Sequence, residues 1–276
     1  MELLVVGGSG FLGLEITRQA QLASHNVLAT FHKRAPTVSG VAWRMVDIRR
    51  RDDVMALALQ ARPDIVINAA YRQSDWATTA DGAIHVAVAA AAVDARLVHV
   101  SSDAVFSGTA ARYVESDLPD PTTPYGAAKA AAETAIKGIT PAAIIARTSL
   151  IIGDGNSPHE RFVHALASGA VGGVLFTDDV RCPVHVSDLA RALLELAASP
   201  AVGVQHVAGA DPISRHELGL LIAKRDGLDP SALPAGLRAT ANIAGPLDVR
   251  LDCTTTQARL TTRLRGARDF LVPLLS

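Results

Sequence analysis

Short apolar runs alternate with alanine-rich stretches of helical spacing along the first half of the chain. Leu3–Val6, Asn26–Phe31, Asp64–Asn68, Leu97–Ser101 and Ala142–Arg147 read as strands. Phe11–Leu22, Val54–Ala61, Gly82–Val93 and Tyr125–Ile136 read as the helices between them. The strands are apolar nearly throughout, a pattern that belongs to a sheet buried on both faces, and the helices supply the crossovers that parallel strands need. Right-handed crossovers wind such units into an α/β, doubly wound parallel sheet. Beyond about Ile152 the rhythm loosens, with loops at Asp154–Pro158 and Ala170–Gly173 and at Pro230, Pro234 and Pro246. Ser187–Ala198 reads as a helix with Ser187 as its N-cap. Ser214–Arg225 reads as another, with Ser214 and Glu217 spaced as a capping box. The pattern predicts a sheet domain over residues 1–152 and a small C-terminal α/β lobe over 153–276. About 174–200 is expected to return to the sheet domain.

Composition narrows the class. The 276 residues carry a net charge of −1, with 19% charged and 4% aromatic residues. The only basic run is Arg49–Arg51, so no nucleic-acid partner is expected. No CxxC or Cys/His cluster surrounds Cys182 or Cys253. That predicts neither disulfide framework nor metal site, and a reduced, cytoplasmic setting. The longest nearly apolar run, Ala83–Val93, already contains His85 and is too short to span a bilayer. Glu2 stands where a signal peptide would be basic. No membrane partner is expected, and a homo-oligomer is left open.

Three features carry candidate chemistry. The first is Gly7-Gly8-Ser9-Gly10-Phe11-Leu12-Gly13, between the first strand and the first helix. It satisfies GxGxxG from Gly8 and GxxGxxG from Gly7. Glycines let the backbone turn tightly and approach a pyrophosphate, while the following helix offers unpaired N–H groups. The second is His32-Lys33-Arg34 at the end of the second strand, with no acidic residue between Glu15 and Asp47. An NAD site of this type wants a carboxylate there for the ribose 2′-OH. These cations would instead hold a 2′-phosphate, so NADPH is favoured over NADH. The third is Tyr125-Gly126-Ala127-Ala128-Lys129, a YxxxK whose i, i+4 spacing puts phenol and ammonium on one helix face. The cation is expected to lower the phenol's pKa for proton exchange with a carbonyl oxygen. Ser102 precedes the tyrosine by 23 residues (125 − 102), at the carboxyl edge of the sheet where ligands bind.

Together these residues, with Asn68-Ala69-Ala70 after the third strand, resemble the extended short-chain dehydrogenase/reductase family. Within it, Val98–Gly108 is similar to the "STDYVFDG" stretch of dTDP-4-dehydrorhamnose reductases. Pro121–Glu133 is similar to their P-x-x-x-YG-x-x-K-x-x-x-E segment, and Ala146–Ser149 to their "LRTS". Asp178–Leu189 and Leu251-Asp252-Cys253 extend the likeness along nearly the whole chain. The resemblance implies a Rossmann domain with a C-terminal substrate lobe. It implies Tyr125 as general acid for a keto oxygen, Lys129 on the nicotinamide ribose, and Ser102 on the carbonyl. It places Gly7, Gly10, Phe11, Leu12 and Gly13 at the cofactor pyrophosphate, Asp47 and Ile48 by the adenine, and Ala69 and Ala70 along the cofactor. Asp75, Trp76, Asp103, Ala104 and Arg181 are candidate substrate contacts. Ala104 replaces the aromatic residue usual in that stretch, and Ser107 the usual acid.

The implied activity is NADPH-dependent reduction of a keto group on a nucleotide-linked deoxysugar. Its rivals are an epimerase or a reductase of a non-sugar ketone, and a non-catalytic NADP-binding subunit like the methionine adenosyltransferase regulatory subunit. His159-Glu160-Arg161-Phe162-Val163-His164 has one residue more than HExxH. Its imidazoles would lie about 140° apart on a helix, which excludes a shared metal. Arg147 is expected to pack beneath the site.

Overall fold

A computed structural model describes residues 1–110 and 112–272. The first half forms β1 (Glu2–Val6), α1 (Phe11–Leu22), β2 (Asn26–Phe31), β3 (Ala42–Met45), α2 (Arg51–Ala61) and β4 (Ile65–Asn68). A π-helical turn (Ala77–Asp81) leads into α3 (Gly82–Ala92). Then come β5 (Arg96–Ser102), a 3₁₀ turn (Asp103–Val105), α4 (Pro124–Ile139) and β6 (Ile144–Thr148). The second half contributes β7 (Ile151–Ile152), α5 (Pro158–Ala167), β8 (Leu175–Phe176), β9 (Val180–Arg181) and β10 (Val184–His185). It continues with α6 (Val186–Ala198), β11 (Gly203–His206), β12 (Ile213–Ser214) and α7 (Arg215–Asp226).

Seven parallel strands form one sheet in the order β11-β6-β5-β4-β1-β2-β3. Residue alternation explains its burial on both faces. Leu3 and Val5 of β1 join Val98, Val100, Ile144 and Ala146 under α1 and α6. Leu4 and Val6 join Val66, Leu97 and Ile145 under α2, α3 and α4. The strand order reverses between β1 and β4, which opens a crevice at their carboxyl ends. A separate cluster holds the second half together, from Val163 and Leu166 of α5 to Leu218 and Ile222 of α7. No helix among the described residues is long and apolar enough to cross a membrane.

Three local readings are corrected. β3 was not expected, because Ala42-Trp43-Arg44-Met45 is a short, mostly exposed edge strand whose apolar residues are broken by Arg44. α6 is capped by His185, whose ring accepts from the Ser187 N–H, so Ser187 lies inside the helix. At α7 only half of the capping box forms. Ser214 Oγ accepts from the Glu217 N–H at 3.1 Å, but the Glu217 carboxylate turns to Arg268. A full capping box occurs instead at Ser157 and Glu160, opening α5.

Candidate active site

The crevice is shaped by the glycine loop. Gly7 has φ +79°, and a Cβ there would lie 2.7 Å from the Ala70 backbone. A Cβ on Gly13 would run into the Gly7 carbonyl, so α1 can start this close to β1 only with glycine at both places. The Gly7 N–H donates to Thr30 Oγ1 at 2.9 Å and the Gly10 N–H to the Gly7 carbonyl at 3.0 Å, which closes the turn. Gly10 caps α1 without a side-chain acceptor, and the first turn holds no acid, so its N–H groups stay available to an anion.

On one side of the loop lies a cavity of about 260 Å³ lined by Gly7, Gly10, Asp47, Ile48, Ala69 and Ala70. The Asp47 carboxylate accepts from Arg49, which holds it at about 2. An open basic depression adjoins this cavity, lined by Ser9, His32, Lys33, Arg34 and Arg72. Sequence reading missed Arg72. It arrives from the loop after β4, where its N–H donates to Thr79 Oγ1 at 3.1 Å and the Thr79 hydroxyl donates back to its carbonyl at 2.7 Å.

On the other side lies a cavity of about 300 Å³ lined by Phe11, Leu12, Asp103, Ala104, Tyr125 and Lys129. The local sequence explains how α4 reaches it. Thr123 caps the helix through the Gly126 N–H at 3.0 Å, and Pro124 occupies its first turn. A Cβ on Gly126 would strike the Ala104 carbonyl, so the glycine lets α4 dock against the 3₁₀ turn. That docking brings the Tyr125 phenol close enough to Ser102 to feel its hydroxyl. Ser102 Oγ also accepts from the Ala104 N–H at 3.2 Å. Lys129 is 2% exposed; its Nζ donates to the Val100 carbonyl at 2.8 Å and sits 5.5 Å from the centre of the Tyr71 ring.

The expected effect of Lys129 on the phenol is overturned. Burial, reinforced by Tyr71 and Asp103, pushes the Tyr125 phenol up, against a smaller opposing effect of Ser102. Burial also lowers Lys129 to about 8, with Glu133 opposing. The ammonium is anchored on Val100, and loss of water outweighs it at the phenol. Beneath, Glu133 accepts from Ser101 Oγ at 2.6 Å and pairs with Arg147 at 2.8 Å, all three side chains buried.

Asp75 and Trp76 are not among the residues lining the Tyr125 cavity. Asp75 accepts from Thr78 Oγ1 at 2.7 Å and faces Arg49 at 3.8 Å, while Trp76 is half exposed. Arg181 does line it, with two partners that sequence reading missed, Arg215 and Arg238. All three face the buried Asp179, at 2.8, 3.6 and 2.7 Å. Arg181 also lies 3.7 Å from Asp103. Arg238 Nε is buried with no hydrogen-bond partner among the described residues. Three guanidinium groups against Asp179 and Asp103 leave this wall net positive, a surface that suits an anion.

A doubly wound parallel sheet, a glycine loop at its switch point and a Ser/Tyr/Lys set at the next strand end define an extended short-chain dehydrogenase/reductase. The dTDP-4-dehydrorhamnose reductases within that class are NAD(P)-dependent oxidoreductases. The family described as RmlD substrate binding domain matches residues 1–275, and the chain belongs to it. Spore coat polysaccharide biosynthesis protein SpsK of Bacillus subtilis is 30% identical over 243 residues, 84% of this chain and 82% of its own. The dTDP-4-dehydrorhamnose reductase of Mycolicibacterium smegmatis is 32% identical over 251 residues, 85% of this chain and 72% of its own. The crystal structure of a hypothetical dTDP-4-dehydrorhamnose reductase from Sulfolobus tokodaii superposes with a TM-score of 0.83. It is 28% identical and covers 96% of this chain and 97% of its own.

Proposed function

We propose that the protein reduces a keto group on a nucleotide-linked deoxysugar with NADPH, as a dTDP-4-dehydrorhamnose reductase does. One observation carries the reading: Tyr125 and Lys129 share a single cavity with the arginines around Asp179. An acid for the carbonyl and a holder for a diphosphate then face the same bound molecule. The tight turn that Gly7 and Gly13 permit brings the uncapped start of α1 to the sheet edge, which fits a dinucleotide pyrophosphate. The basic depression fits a 2′-phosphate. Lys129 would hold the nicotinamide ribose, and Asp47 and Ile48 would flank the adenine. When bound, the reduced nicotinamide supplies the hydride.

The protein's own part is proton delivery and orientation. Tyr125, kept protonated by burial, donates its phenolic proton to the keto oxygen as that oxygen becomes an alkoxide. The Ser102 hydroxyl donates a hydrogen bond to the same oxygen and stabilises its developing charge. Arg181, Arg215 and Arg238 hold the diphosphate and set the distance from it to the reacting carbon.

Purified protein is expected to oxidise NADPH when given dTDP-4-keto-6-deoxyglucose or a similar keto sugar. Tyr125→Phe should abolish turnover with cofactor affinity nearly unchanged, and full activity in that variant sinks the assigned role. Stoichiometric bound NAD, with no need for added NADPH, would instead establish an epimerase. A stable partner protein with no turnover on any keto sugar would establish the regulatory reading.

A further inference from the structure

The two histidines of the HExxxH segment go to different neighbours. His164 Nε2 lies 2.7 Å from Asp226, on the side of α5 that meets the end of α7. His159 lines the Tyr125 cavity, together with Arg215. Its mount is rigid. Pro158 begins α5, and the Glu160 carboxylate accepts from the N–H groups of Ser157 at 2.8 Å, Gly153 at 3.1 Å and Gly155 at 2.9 Å.

His159 Nδ1 lies 3.3 Å from Nη1 of Arg215, the first residue of α7. A guanidinium has only donors, so the imidazole must accept through the Nδ1 lone pair. A neutral ring that accepts at Nδ1 carries its proton on Nε2. The described residues give Nε2 no hydrogen-bond partner, and the ring is on the cavity wall. The charged groups facing it are Arg215 from α7, Glu160 from α5 and Asp179 from the turn before β9. Arg181 and Arg238 line the same cavity. Burial, then Arg215, lowers the imidazole to about 3.

We propose that His159 is a substrate-recognition residue whose Nε2–H donates to a phosphoryl oxygen of the nucleotide sugar, beside the arginines. This rests on the reading that the cavity takes a nucleotide-linked sugar. The arginines supply charge without much direction. His159 supplies a single neutral donor in a fixed orientation, which selects for an acceptor oxygen at that place.

The test uses dTDP-glucose, a nucleotide sugar without the keto group, titrated calorimetrically in saturating NADP. Its diphosphate has no group that titrates between about pH 6 and 8. His159→Phe should weaken binding roughly ten- to a hundredfold, the range of one hydrogen bond to an ionised acceptor. His159→Gln, whose amide N–H can reach a similar point, should recover most of that loss. NADPH affinity and melting temperature should stay near wild type in the Gln variant. Wild-type affinity should be flat from about pH 6 to 8. Undiminished binding by the Phe variant, equal loss in both variants, or an inflection near pH 6.5 that the Gln variant abolishes would each overturn the proposal. If wild type binds dTDP-glucose but reduces no keto sugar, the reductase reading fails while His159 is still decided by these affinities. No binding of dTDP-glucose by wild type overturns the proposal.

Discussion

Lys129 and Tyr125 share a face of α4, yet burial moves them in opposite senses. Removing water disfavours whichever form is charged, so the ammonium falls to about 8 and the phenol rises. At neutral pH the tyrosine keeps its proton and the lysine most of its charge, the two states that protonation of a ketone oxygen calls for. The proposed preference for NADPH also rests on single residues. Lys33, Arg34 and Arg72 bound a depression with no carboxylate among its lining residues. A 2′-phosphate there would take charge-assisted hydrogen bonds. Arg34→Ala should therefore weaken NADPH binding roughly ten- to a hundredfold and leave NADH nearly untouched. Titrating both cofactors against both proteins checks this, and equal affinity of the wild type for the two refutes it.

Among elements, the junction of β5, α4 and β6 encloses a fully buried ion pair. Ser101 comes from β5, Glu133 from α4 and Arg147 from β6, and the Glu133 carboxylate is shared between the other two. Arg147 also donates to the Asp117 carbonyl and lies 4.9 Å from the Phe106 ring. A buried pair of this kind is costly to break, because the surviving charge has no water to turn to. Glu133→Gln should lower the unfolding free energy by about 3–5 kcal/mol, measured in denaturant. Glu133→Gln with Arg147→Met should recover part of the loss. A single-variant effect below about 1 kcal/mol would show that the pair is better solvated than its burial implies.

For the whole molecule, acid should be the weak side. His99, His159 and His206 are all held below their ordinary value, burial being the largest cause in each. The sign follows from proton counting. Below about pH 6.5 the unfolded chain protonates these rings and the folded chain does not, so protons bind the unfolded state in excess and stability falls with pH. Each ring contributes a slope of up to about 1.4 kcal/mol per pH unit in that window. Unfolding free energies at about pH 7.5, 6.5 and 5.5 should drop by roughly 1 kcal/mol over the first step and roughly 3 kcal/mol over the second. A level or rising value at the lowest pH would mean that these rings are protonated in the folded state.

The alternation of strands and helices, the glycine loop and the Ser102–Tyr125–Lys129 spacing were legible in the sequence because each depends on neighbours along the chain. A tight turn needs glycine wherever it occurs, and a helix places residues four apart on one face in any surroundings. Caps were less legible, since Glu217 could serve either its own helix or Arg268, and only packing chose between them. β3 was passed over because its few apolar residues are interrupted by Arg44 on an exposed edge, a pattern that a loop can also show. Of the arginine wall only Arg181 was named from the sequence; Arg215 and Arg238 had no local signature. Arg181, Arg215 and Arg238 stand far apart in the chain and become one site only where β9, α7 and the 3₁₀ turn at Arg238–Thr240 close over Asp179. The direction of the Tyr125 shift was likewise out of reach. Spacing sets which groups can meet, but protonation depends on how much water remains around them, and that is decided by the tertiary structure.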